Sequence, residues 1–185
     1  MMIHESLIQV IGLLVGVIAF IFGNVYAEIK RGQLNPETQP ISAYLTGPYG
    51  VWESSGFLLF SLSLLGLLGH GPGWWQGLVL VTAAALWFVV LSKWLIKYGL
   101  YGWVFCSTAN QVERIHLISA GIAFTLAVGV EATVLWPSLW VIIPFAAPLS
   151  ALGFYLFDRK QTAINEKAYT LFLLLGMLAV IVRLL

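Results

Sequence analysis

Charge is what this chain has least of. Asp, Glu, Lys and Arg make up 9% of its 185 residues, where soluble domains carry about a quarter. That scarcity excludes an ordinary water-facing globule, because a chain this short has too much surface to clothe without charged side chains. A formal net charge of +1 offers no basic footprint for nucleic acid, so no nucleic-acid partner is expected. Cysteine is nearly absent as well. Cys106 alone permits no internal disulfide and no thiolate cluster for zinc. Histidine supplies only His4, His70 and His116, and the span assignment below puts the first two at one side of a membrane and the third at the other. A haem needs two histidines at one depth, and a surface metal on His4 and His70 would rest on terminal and turn segments. No cofactor and no metal are therefore expected.

What the chain has in abundance is apolar length. Hydrophobic residues make up 60% of the sequence, and six runs reach the roughly 20 residues that cross ~30 Å of hydrocarbon at ~1.5 Å per residue. They are residues 7–27, 49–69, 74–96, 116–135, 137–157 and 167–185. In lipid a backbone must satisfy its own hydrogen bonds, and these runs lack the alternation of barrel strands. The expected fold is all-α: a single membrane domain of six transmembrane helices. Residues 1–6 hold no Lys or Arg and the first run exceeds a signal-peptide core, so it is expected to stay as a helix.

Connections alternate in character. Residues 28–48, 97–115 and 158–166 are longer and polar, whereas His70-Gly71-Pro72-Gly73 and Trp136-Pro137 are tight turns that should bring their helices together as antiparallel pairs. Lys30, Arg31, Lys93, Lys97, Arg114, Arg159, Lys160 and Lys167 flank or fill the three longer connections, against Arg183 alone on the other side. The positive-inside rule then makes those connections cytoplasmic and puts both termini outside. Trp74, Trp75, Trp136 and Trp140 would form an outer aromatic belt, with Trp52, Trp94 and Trp103 at the inner boundary.

Polar residues inside apolar runs are expensive, so they mark packing or function. Glu113, His116, Ala120, Ala127 and Glu131 fall on one stripe of the fourth helix at three-, four- and seven-residue steps, a face expected to look into the bundle. His116 lies about one turn inside the inner boundary, at the level where Ser42, Tyr44 and Glu53 arrive. A nucleophile, a base and a carboxylate there would suit lipid ester chemistry. No nucleophile-elbow pattern surrounds Ser42, and a structural hydrogen-bond network tying the first loop to two helices is the simpler reading. Tyr44, Tyr49, Trp52, Trp103, Arg114 and His116 are the candidates for contact with a lipid or other ligand. Glu131 and Arg183 fall near the outer ends of their helices and are expected to pair or to snorkel. Residues 97–106, aromatic and basic, should lie along the inner interface.

The segment ISAYLTGPYG at 41–50, followed by VWESSGF at 51–57, resembles the signature of the prokaryotic membrane family called domain of unknown function 998. RIHLISAGIAF at 114–124 and NEK at 165–167 fit the places where that family opens its fourth helix on a histidine and enters its last. The resemblance spans nearly the whole chain and implies six helices, with an activity that the family itself leaves unassigned. The PISA element at 40–43 is also similar to one in the six-helix GPI-anchor lipid-remodelling proteins and damage-regulated autophagy modulators, which implies lipid handling. The expectation is a non-enzymatic, lipid-binding or accessory subunit of a prokaryotic inner (plasma) membrane, with membrane lipids and other membrane-protein subunits as partners. A lipid-modifying enzyme at the cytoplasmic headgroup level and a small-molecule or lipid transporter are the alternatives.

Overall fold

The computed structural model describes residues 2–31, 45–70, 73–157 and 162–185. Among them the regular elements are all helical: α1 (Met2–Lys30), α2 (Gly50–Leu64), α3 (Gly73–Tyr98), α4 (Ala109–Leu135), α5 (Ile142–Phe157) and α6 (Thr162–Leu184), with short 3₁₀ turns between several of them. Five helical stretches are long and apolar enough to cross a membrane: Leu7–Lys30, Gly50–Gly69, Gly73–Tyr98, Ala109–Leu135 and Glu166–Leu184. The expected fifth crossing at 137–157 is the exception. Its helix has 16 residues, or ~24 Å at ~1.5 Å per residue, and is preceded by a 3₁₀ turn at Leu139–Val141. Pro144 falls in its first turn, where a missing N–H is harmless, and Pro148 sits inside it.

Boundaries moved where polar residues begin helices. Hydropathy starts the fourth helix at His116, yet α4 begins at Ala109 because Thr108 and Gln111 form a reciprocal capping box. The Thr108 hydroxyl accepts from Gln111 N–H at 3.3 Å, and the Gln111 side chain accepts from Thr108 N–H at 3.2 Å. Two orphan donors of the first turn are satisfied this way, so the polar stretch 109–115 is helical rather than loop. At the far end of α2 the chain tightens into a 3₁₀ turn, Leu65–His70. The Leu67 carbonyl there accepts from the Trp75 indole N–H at 2.7 Å. Trp75 is therefore buried, at 1% exposure, and does not join the outer aromatic belt expected of it. Trp74, Trp136 and Trp140 remain exposed.

Packing follows α1 to α2 to α3 to α4 to α6 and back to α1, a closed ring of the five long helices, with α5 outside it against α4 and α6. The ring shares one core that includes Leu13, Phe57, Leu64, Trp75, Leu86, Val130, Met177 and Val180. A smaller cluster of Ala127, Val128, Ala147 and Leu173 seats α5. The most extensive helix pairs are α1 with α2, α3 with α4 and α5 with α6, the pairs joined by the longer connections. The pairs joined by the tight turns, α2 with α3 and α4 with α5, pack as well, less extensively. Between α1 and α2 small residues permit the approach: a Cβ on Gly23 of α1 would run into the Trp52 carbonyl oxygen and sit 3.3 Å from the Glu53 Cα on α2. Large apolar side chains such as Ile8, Ile11, Ile18, Phe22, Leu80, Trp87 and Ile122 cover the outside of the bundle, a surface that suits lipid and not water.

Candidate functional site

The antiparallel ring brings the C-terminal ends of α1 and α3 together with the N-terminal ends of α2, α4 and α6, and this basic end is where buried polar groups collect. Polar bonds cross its seams. Lys167 of α6 pairs with Glu28 of α1 at 2.9 Å, and Lys93 of α3 with Glu113 of α4 at 2.6 Å. Trp94 of α3 donates its indole N–H to the Ser54 hydroxyl of α2 at 3.1 Å. Arg31, just past α1, donates to the Thr46 carbonyl at 2.5 Å, and its guanidinium packs so closely on Gly47 that a Cβ there would lie 3.1 Å from Cζ. Gly47 holds φ at 111°, a conformation glycine adopts without steric cost. The TGPYG turn is thereby folded onto Arg31 and delivers the chain into α2. Between α4 and α6 the contact is aromatic, with Phe124 and Tyr169 ring centroids 5.6 Å apart.

Inside this girdle lies Glu53, at 0% exposure, with neither carboxyl oxygen hydrogen-bonded. It is within electrostatic reach of Glu166 on α6, Arg31 just past α1, Lys93 on α3 and Glu28 on α1. Three further buried polar atoms lack a hydrogen-bond partner near this end: Asn24 Oδ1 on α1, His116 Nε2 on α4 and Thr170 Oγ1 on α6. Asn24 lies six residues before the end of α1, His116 seven after the start of α4 and Thr170 eight after the start of α6, depths of ~9 to ~12 Å at ~1.5 Å per residue. Buried polar groups are ordinarily satisfied, and each that is not costs on the order of 1–3 kcal/mol. Among the described residues five such atoms stand on four helices at this end, and three more, Glu131 Oε1 and Oε2 and Ser138 Oγ, lie toward the other.

His116 is held from its other nitrogen. Nδ1 lies 3.1 Å from the Val89 carbonyl and 2.9 Å from the Ser92 hydroxyl, and Ser92 itself donates to Val89 at 2.9 Å. With the Ser92 hydroxyl donating to Val89, the contact of Nδ1 with that carbonyl assigns the ring hydrogen to Nδ1 and the lone pair to Nε2, whereas a Ser92 hydroxyl turned to Nδ1 assigns them the other way round. Full burial removes Ser92 as a nucleophile activated by His116 in either arrangement.

The sequence candidates sort as follows. Glu53 and His116 are both buried at the basic end, but no hydrogen bond joins them. Lys93 is within electrostatic reach of both. Ser42 and Tyr44 lie outside the described residues, as does most of the first connection. Tyr49 meets Tyr26 edge to face at 6.3 Å and Trp52 packs on it tilted at 5.3 Å, making an aromatic flank on α1 and the start of α2. Arg114 is exposed, and Trp103 is 78% exposed in a 3₁₀ turn, Tyr101–Val104. On the stripe of α4, His116, Ala127 and Glu131 are buried and Glu113 and Ala120 are half-buried, the inward face expected. One expectation is corrected. Glu131 and Arg183 do not pair: Arg183 donates Nε–H to the Val134 carbonyl at 3.0 Å from an exposed position, while Glu131 is fully buried with both oxygens unpartnered. Glu131 turns inward onto Gly176 of α6, where a Cβ would strike its Oε2, and Arg183 lies on the outside.

Sequence reasoning missed Lys93, Asn24 and Thr170. Lys93 reads as a boundary charge reaching for headgroups, yet it is buried against α4. The available signal was its place beside Ser92, since two polar residues near the end of an apolar run mark a face as well as an end. Comparison of the chain with family models, curated proteins and solved structures gives no match.

Proposed function

We propose that this chain is a six-helix integral membrane protein that binds a lipid without chemically altering it, its polar head held at the basic end of the helix ring. The observation that carries this reading is Glu53, a fully buried carboxyl with no hydrogen-bond partner inside a girdle of charges from neighbouring helices. A headgroup supplies the missing partners, and the apolar outside of the ring supports the acyl chains. The exposed Trp103 and Trp52, the latter packed against Tyr26, serve in this reading as headgroup-level anchors on either flank. In this reading α5, with its 3₁₀ lead-in, completes the sixth crossing, the chain groups with the prokaryotic family that its TGPYG turn resembles, and it serves as an accessory subunit packing on partner helices.

Purification in mild detergent followed by native mass spectrometry tests the binding. The wild type is expected to retain a lipid and Glu53→Leu to lose it, with folding monitored by circular dichroism. A bare wild-type protein would sink the reading. The proposed site is a prokaryotic plasma membrane with the basic end cytoplasmic and both termini outside, and the lone Cys106 in the third connection reports on it. A membrane-impermeant maleimide should leave Cys106 unlabelled in intact cells and label it after permeabilisation. Labelling in intact cells would invert the orientation.

A second reading, a lipid-modifying enzyme using Ser42, Glu53 and His116, is favoured by one observation, the unpartnered Nε2 of His116. It requires His116→Ala to abolish a change in the cellular lipid profile at unchanged protein level. Identical profiles in wild type, variant and deletion strain eliminate it.

A further inference from the structure

Independently of Glu53, we infer that the connection between α3 and α4, residues 99–108, is a membrane-surface insertion element: Phe105 and Trp103 enter a leaflet of anionic phospholipid, and Lys97 and Arg114 meet its phosphates. The backbone motivates it. Two left-handed residues close the connection. Gly99, at φ 67°, ends α3, its N–H and that of Leu100 returning to the carbonyls of Ile96 and Leu95 at 3.3 and 2.9 Å, a closure that glycine makes without strain. Phe105, at φ 57°, ends the 3₁₀ turn Tyr101–Val104 in a similar way, its N–H and that of Cys106 returning to Gly102 and Tyr101 at 3.1 Å each. Here the left-handed residue carries a phenyl group, whose Cβ crowds the backbone in that region. The residue is 101% exposed, so no packing of the ring within the chain offsets the strain. An offset has to come from outside the chain.

Depth says what lies outside. Trp94 is partly exposed on α3, one turn before Tyr98, the place of an interfacial tryptophan. One turn is ~5.4 Å and each headgroup layer is roughly 5–7 Å thick, so the connection leaves α3 within that layer. Trp103, Tyr98 and Leu100 are exposed there as well, apolar surface that water alone would leave unburied. Charge then selects the lipid. Residues 97–112 contain a single charged side chain, Lys97, which lies 5.4 Å from the centroid of the Tyr98 ring. Among the described residues the 3₁₀ turn packs on α3 and α4, whose other charges at this end are Lys93, Glu113 and Arg114. Lys93 and Glu113 neutralise each other at 2.6 Å. Lys97 and Arg114 are exposed, and neither has an ion-pair partner among the described residues. Two cations beside an aromatic loop, with the one nearby acid already paired, complement a negatively charged headgroup layer.

The test places the photoreactive residue p-benzoylphenylalanine at position 105 of the full chain, where an aromatic ring is retained. The protein is reconstituted in nanodiscs of equal phosphatidylcholine and phosphatidylglycerol, irradiated, and its adducts are read by mass spectrometry. Phospholipid adducts are expected, with phosphatidylglycerol favoured about fivefold. Combining Lys97→Gln with Arg114→Gln, two exposed positions, should bring that ratio to about one. The same photoprobe at Ser107, exposed and bonded through its N–H to the Gln111 side chain at the entry to α4, should give several-fold less lipid adduct. Trp103 is the second position for the photoprobe and should again capture lipid. Absence of lipid adducts at both 105 and 103, or equal capture at 105 and 107, overturns the insertion. Irradiation in intact cells that yields a protein adduct at 105 in place of lipid overturns it too, and makes the loop a protein-docking surface. Equal capture of the two phospholipids, or a preference untouched by the double substitution, overturns the anionic assignment.

Discussion

Gly23→Val is expected to separate α1 from α2 and to lower stability by about 3 kcal/mol or more. The collision is with backbone: a Cβ on residue 23 would meet the Trp52 carbonyl oxygen, its carbon at 3.1 Å and the Glu53 Cα at 3.3 Å. A flexible side chain can swing aside, whereas the α2 backbone can only move as a helix. Because the contact reaches Glu53, the substitution should also abolish the proposed lipid binding. Gly12→Ala, on the same helix with nothing within 4 Å of the added carbon, is the control and should be neutral or slightly stabilising, since alanine restricts the unfolded chain. Steric-trap unfolding in bicelles gives both numbers. Equal stability of the two variants would mean that the α1–α2 approach is looser than described.

Glu131→Leu is expected to stabilise the protein, by about 1–4 kcal/mol. Substituting a buried acidic residue is usually destabilising when it removes one half of an ion pair. Here Arg183 is committed to the Val134 carbonyl, the Glu131 oxygens have no partner, and the residue is fully buried. Leucine has a similar volume and removes the desolvation cost without orphaning a cation. Its branched end must clear Gly176, against which the carboxyl now packs, which makes Glu131→Met the companion variant. The same experiment addresses transport. A hydrated path from His116 to Glu131 would hydrogen-bond the carboxyl through water, and both variants would then lose stability.

Much of the fold was legible because lipid leaves a backbone few choices. The runs at 7–27, 74–96 and 116–135 reappear inside α1, α3 and α4, 49–69 falls across α2 and the 3₁₀ turn that extends it, and 167–185 is α6 as far as Leu184, and the inward face of α4 followed from the spacing of His116, Ala127 and Glu131. Less legible were the features that hydropathy ignores. The start of α4 is set by a hydrogen-bonded cap at Thr108, not by the first apolar residue. The close α1–α2 approach is set by glycines in the middle of the runs, Gly16 and Gly23 on α1 and Gly56 on α2. Trp75 looks like any boundary tryptophan until the 3₁₀ turn at Leu65–His70 exposes a carbonyl for it. At the site, Glu53 and His116 were found because polar residues in apolar runs stand out. Their setting was not, because Lys93 and Asn24 acquire meaning only from which helices neighbour one another. Pairing Glu131 with Arg183 failed for a related reason: equal depth does not place two side chains on the same face.

The central claim is that the polar end of the helix ring is built to hold a headgroup. It is tested most directly by electron cryo-microscopy of the full chain in phospholipid nanodiscs, with a fiducial binder to provide mass. The account predicts non-protein density within hydrogen-bonding distance of Glu53 and His116 Nε2, continuous with an acyl chain on the outside of the ring. A map in which water alone meets these atoms, or in which the helices close over them with no density at all, would contradict it.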